Sequence, residues 1–140
     1  MLIYDYPLSS PVNIYVAHSR SFDFVKELYE PIRESVLSRT HTIVLPHEAS
    51  DEPFDSKTYL RDEADVLIAE VSEPSIGLGM ELAWADQYRV PIICVYRSGA
   101  NVSSSVRTVS NRFLEYASGP ELIRGLETIL EHEDRFSKRS

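Results

Sequence analysis

Short apolar runs alternate along the chain with longer stretches whose apolar positions recur every three or four residues. The runs at 12–17, 42–45, 66–71, 91–96 and 112–116 read as strands. Helical spacing is predicted over 22–38, where Pro31 should kink the helix, and over 56–63, with Ser56 as a plausible cap. A third helix carries Glu81 and runs to 88, and a last one runs from 120 to about 133. In that last helix Leu122, Ile123, Leu126, Ile129 and Leu130 form one apolar stripe suited to packing on a sheet.

The run Val66-Leu67-Ile68-Ala69 shows no polar alternation, which is the pattern of a strand covered on both faces in a parallel sheet. Successive strand–helix units with right-handed crossovers predict an α/β, flavodoxin-like fold: a five-stranded parallel sheet of order 2-1-3-4-5 with helices on both faces. The whole of 1–140 should form one domain, since no linker or internal repeat divides it. In such a sheet strands one and three meet at the point where strand order reverses. Ligands bind beyond the carboxyl ends of the strands there.

Residues 72–79 follow the third strand and sit at that mouth. Gly77 and Gly79 allow close backbone approach to a ligand, although a short Gly-x-Gly is common in turns. Glu81 is expected in the first turn of the next helix, where the dipole and free N–H groups favour an ionised carboxylate. Taken alone, that is also a general first-turn preference. Tyr15, at the end of the first strand, could orient Glu81 or simply pack beneath a helix. Arg20 offers a planar fork for phosphate oxygens, or is a solvated loop residue, and Ser19 adds a hydroxyl near a helix start. His47 follows the second strand and should border the same mouth.

Taken together, Ala69-Glu70-Val71, Pro74-Ser75, Gly77-Leu78-Gly79-Met80-Glu81-Leu82, Tyr15, Arg20, His47, Ser98-Gly99, Ser103 and Arg107 resemble the nucleoside 2-deoxyribosyltransferase family. The resemblance is closest to its 2'-deoxynucleoside 5'-phosphate N-hydrolase branch and spans most of the chain. It implies that Glu81 attacks C1' of a sugar, that Tyr15 orients it, and that water or a second base resolves the glycosyl-enzyme. Ser75 matches the hydrolase's phosphate ligand, where transferases carry an aspartate, so nucleoside 5'-monophosphates are the implied substrates. It also implies that Ser103 completes the phosphate site of a neighbouring subunit, making a homodimer the active unit. His47 is expected beside the nucleobase. The chain departs from the family at Lys57, where both branches carry a catalytic aspartate, and Asp55 is the nearest substitute. Breaking a C1'–N bond passes through an oxocarbenium-like state that needs one carboxylate at the anomeric carbon and an acid at the leaving group. A base-exchanging transferase and a nucleotide-binding or sensor module without turnover stand as alternatives.

Composition narrows the remaining choices. A net charge of −8 and a pI near 4.9 argue against binding nucleic acid polymers, which need clustered Lys and Arg. The scattered histidines and the single cysteine, Cys94, form no ligand-spaced cluster, so no metal and no cofactor are predicted. One cysteine also excludes an internal disulfide. With neither a signal-peptide pattern nor an apolar run of membrane-spanning length, a cytoplasmic protein without membrane contact is expected.

Overall fold

The computed structural model describes residues 10–132. Its five strands are β1 (Asn13–His18), β2 (Thr42–Val44), β3 (Val66–Glu70), β4 (Ile92–Arg97) and β5 (Phe113–Tyr116). All pair in parallel, in the order β2-β1-β3-β4-β5, as the strand pattern predicts.

Side chains alternate faces along each strand. Ile14, Val16, Val66, Ile68, Ile93 and Val95 enter one core layer, while Tyr15, Ala17, Leu67, Ala69, Ile92 and Cys94 enter the other. The first layer is covered by α1 (Glu30–Arg33), α2 (Val36–Thr40) and α5 (Gly119–Glu131). The second is covered by α3 (Ser56–Asp62) and α4 (Ile76–Gln87). Tyr15 therefore faces α4 because of strand parity. A one-residue slip would send it to the opposite layer.

Three boundaries differ from the sequence reading. The predicted single helix over 22–38 is instead a π-helical turn (Val25–Tyr29) running into α1, a break, and α2. Pro31 takes the second position of α1, directly after the π-helical turn. The new start comes from Ser35, whose hydroxyl accepts from the Leu37 N–H at 3.2 Å. Second, α3 is capped by Asp55 rather than by Ser56. Third, α4 opens at Ile76 with Ser75 as its cap, which places Glu81 in the second turn rather than the first.

The apolar stripe of α5 packs as expected, with Leu122, Leu126 and Leu130 buried and Ile123 and Ile129 partly so. Truncating any one of the buried leucines should cost about 2–5 kcal/mol, the usual penalty for a core cavity. The sequence carries the last helix to about 133, and α5 ends at Glu131 with His132 as its cap; the charged tail at 135–140, expected to fray, lies outside the described residues. Among the described residues no helix is long and apolar enough to cross a membrane.

Candidate active site

β1 and β3 are neighbours in the sheet, and the loops leaving their carboxyl ends open a cavity of about 510 Å³. Tyr15, Arg20, His47, Ser75, Gly77 and Glu81 all line it, although they come from three separate segments of the chain. Phe54, Met80 and Trp84 give it an apolar wall. Adding a Cβ at Gly77 or Gly79 would meet nothing within 4 Å, so these glycines leave open space instead of allowing a tight backbone contact within the protein.

At the base of the cavity the Tyr15 hydroxyl donates to Glu81 Oε2 at 2.6 Å. Tyr15 is 1% exposed, and burial together with the neighbouring carboxylate pushes its phenol far above the ordinary range. It is a fixed donor. Burial raises the pKa of Glu81, and hydrogen bonds from Tyr15 and Ser56 pull it back down. The expected support from the helix dipole is absent, because Glu81 lies beyond the first turn where that field acts. Side-chain donors do that work here.

Ser56 is the site residue that sequence reasoning missed. It is 5% exposed and lines the cavity beside Tyr15 and Glu81, holding the pKa of each lower than burial alone would. Its only signal in the sequence was a Ser at a helix start, which suggested a cap. The cap is Asp55, whose Oδ1 accepts from the Thr58 N–H at 3.2 Å. Asp55 does not line the cavity, contrary to the place expected for it beside a leaving group. Adjacent residues at a helix start point in different directions, and the sequence reading exchanged these two. Lys57 lies over the Trp84 ring, 5.8 Å from its centroid.

The histidines at the rim are held neutral. His18 Nδ1 meets the Ser19 carbonyl at 2.8 Å, which can only accept, so Nε2 accepts from the Tyr29 hydroxyl at 2.6 Å. Burial lowers the His18 pKa to about 4. Tyr29 in turn accepts from the His47 backbone N–H at 3.1 Å, which anchors the loop after β2. Burial and nearby Arg20 also lower the His47 pKa, and its buried Nδ1 has no hydrogen-bond partner among the described residues.

Three expected phosphate contacts are placed differently. Arg20 reaches the cavity but pairs with Asp51 at 3.3 Å, an exposed pair of small energetic weight. Ser19 is buried and does not line the cavity; its hydroxyl meets Ser21 Oγ at 2.7 Å. Ser103 and Gly79 line a second, mostly apolar cavity of about 290 Å³ between α4 and the turn Ser104–Thr108. Ser75 and Leu78 border both cavities. Among the described residues no group of three or more His, Cys, Asp or Glu is placed to hold a metal ion.

A Thermofilum pendens protein provisionally named 2'-deoxynucleoside 5'-phosphate N-hydrolase 1 is 30% identical over 122 residues, covering 76% of this chain and 82% of that protein. The chain belongs to the 2'-deoxynucleoside 5'-phosphate N-hydrolase family. A Syntrophotalea carbinolica protein with the same provisional name is 44% identical over 62 residues, but that match spans only 41% of this chain and 44% of the relative. The structure of the Clostridium botulinum CMP N-glycosidase BcmB superposes with a TM-score of 0.61 at 18% identity, covering 84% of this chain and 99% of that one. It supports the family's fold. No protein-family model matches the chain.

Proposed function

We propose that this chain is an N-glycosidase that cleaves the C1'–N bond of nucleoside or 2'-deoxynucleoside 5'-monophosphates through a glycosyl-Glu81 intermediate. The observation that carries the reading is the 2.6 Å Tyr15–Glu81 hydrogen bond at the base of an open cavity. A half-buried carboxylate fixed by the Tyr15 hydroxyl faces a molecule bound in the cavity. Attack by Glu81 on C1' forms the glycosyl ester as the C1'–N bond breaks and its electron pair leaves with the base. Water then adds at C1' as the ester C–O bond breaks and returns the carboxylate, and the proton that the water gives up balances the one taken up by the departed base. Tyr15 and Ser56 position Glu81 and keep enough of it ionised despite burial.

The apolar wall of Phe54, Met80 and Trp84 suits the faces of a nucleobase, and the neutral His47 suits a hydrogen bond at its edge. Ser75 caps α4 at the border of both cavities, where a 5'-phosphate would meet the helix N-terminus. A homodimer fits the exposed surface of α4, where Ile76 is 85% and Met80 46% exposed. In that assembly Ser103 would serve the neighbouring subunit.

Incubating the protein and its Glu81→Ala variant with nucleoside 5'-monophosphates and the matching nucleosides, then separating free base by chromatography, tests the reading. Base released by the native protein alone, and from phosphorylated substrates, is the expected result. A new nucleoside formed faster than free sugar when a second base is added would instead indicate a transferase.

One observation favours a second reading, a nucleotide-binding module without turnover. Among the described residues lining the cavity the carboxylates are Glu81 and Asp51; Asp51 is paired with Arg20, while Asp55 is occupied as a cap. That leaves leaving-group protonation without a dedicated acid among the described residues. Stabilisation by nucleotide with no base release would decide for it.

A further inference from the structure

Among the residues lining the second cavity, which holds Ser75 and Ser103, the one charged side chain is Glu73. A carboxylate is an unexpected occupant of a place that the reading above gives to a 5'-phosphate, and its contacts show what it does there. Ser21 Oγ donates to Glu73 Oε1 at 2.5 Å, and Arg97 Nη2 donates to Oε2 at 2.8 Å. Behind Ser21, the Ser19 hydroxyl donates to Ser21 Oγ at 2.7 Å and accepts from the Ser21 N–H at 3.1 Å. Glu73 thus ties the loop after β1 to the end of β4, and it does so with the donors a phosphate oxygen would use.

Arg97 has other anchors. Its guanidinium lies 4.8 Å from the Phe22 ring centroid, 3.5 Å from Glu27 and 4.0 Å from the buried Glu70. Glu70 is itself held by the Ser72 N–H at 2.8 Å, the Ser72 hydroxyl at 2.9 Å and the Tyr116 hydroxyl. Three carboxylates therefore surround one guanidinium, and of the three Glu73 is the one that lines the cavity. A dianion entering beside Ser75 meets that excess of negative charge unless Glu73 gives way.

We propose that Glu73 is a specificity-determining residue: its carboxylate stands in for a phosphate on Ser21 and Arg97, and an incoming 5'-phosphate must displace it. The inference rests on the reading of this corner as the phosphate end of the site. The donors from Ser21 and Arg97 also hold the Glu73 carboxyl below the usual range, so it is charged and competing at neutral pH. Displacement sets a cost on phosphate binding that nucleosides without phosphate do not meet.

Glu73→Gln keeps the size and an acceptor for Ser21 while removing the charge, and Arg97 retains Glu27, Glu70 and Phe22. Calorimetric titrations in a Glu81→Ala background, with and without Glu73→Gln, would use the four 2'-deoxynucleoside 5'-monophosphates, their nucleosides and inorganic phosphate. The expected result is tighter binding of monophosphates by roughly tenfold, the size of one like charge removed from a partly solvated site, with nucleoside affinity unchanged. Weaker monophosphate binding in Glu73→Gln, an equal shift for nucleosides, or no phosphate binding by either form would overturn the proposal. Base release by the native protein is scored separately. Charge-dependent phosphate affinity without base release would remove the catalytic reading and keep this one, and base release with no Glu73 dependence would do the reverse.

Discussion

The Tyr15 hydroxyl reaches Glu81 Oε2 at 2.6 Å, joining the middle of β1 to the second turn of α4 across the face of the sheet. The bond exists because parity puts Tyr15 in the α4 layer and because α4 begins at Ser75, which turns its sixth residue toward β1. Removing only the hydroxyl, in Tyr15→Phe, leaves the half-buried Glu81 without that donor. Its pKa should climb further, so the acidic limb of the pH–rate profile should move to higher pH and turnover should fall about 10–100-fold, the range of a lost positioned donor. Base release measured across pH checks both.

Glu81→Gln should abolish base release and make the protein more stable at neutral pH. Burial raises the folded-state pKa of Glu81, so its contribution to stability is full below the ordinary carboxylate pKa and is lost as pH rises through the folded value. At neutral pH the ionised group is a cost that Gln removes. A gain of about 1 kcal/mol corresponds to a Tm increase of about 2–4 °C in a chain of this size. Thermal melts at pH 7 would show it, with the difference between the two proteins shrinking toward pH 4.

Asp55→Asn separates the two roles considered for that residue. Asn caps helices as well as Asp, so if Asp55 serves as the cap of α3, Asp55→Asn should keep both stability and base release. Asp55→Ala should lose about 1 kcal/mol by the same reasoning. A collapse of turnover in Asp55→Asn with an unchanged melt would restore the leaving-group role.

His18 should make the fold sensitive to acid. Its pKa falls from 6.5 to about 4 on folding, so its contribution is present above 6.5 and is lost as pH drops through about 4. Full protonation corresponds to roughly 3 kcal/mol. His18→Gln, which can still bond Tyr29 and the Ser19 carbonyl, should move the acid-unfolding midpoint to lower pH. Buried His41 shifts in the same direction, so some acid sensitivity should remain in circular-dichroism titrations.

The sequence by itself determined the sheet. Apolar runs with no polar alternation fit central parallel strands, and their alternation with helical stripes under right-handed crossovers predicts the order β2-β1-β3-β4-β5 that the structure has. It also determined which residues gather at the switch point, because strand ends and the loops after them are set by topology: Tyr15, Arg20, His47, Ser75, Gly77 and Glu81 meet in one cavity. Tertiary structure alone decided matters within a single helical turn. Asp55 and Ser56 are neighbours of nearly equal capping strength, and only the direction in which α3 enters the fold turns one outward as cap and the other inward to Glu81. The same holds for Ser19, aimed at Ser21 and Glu73 instead of the cavity, and for the charge state of Glu81. Side-chain direction and burial depend on what the rest of the chain brings alongside, and no local pattern encodes that.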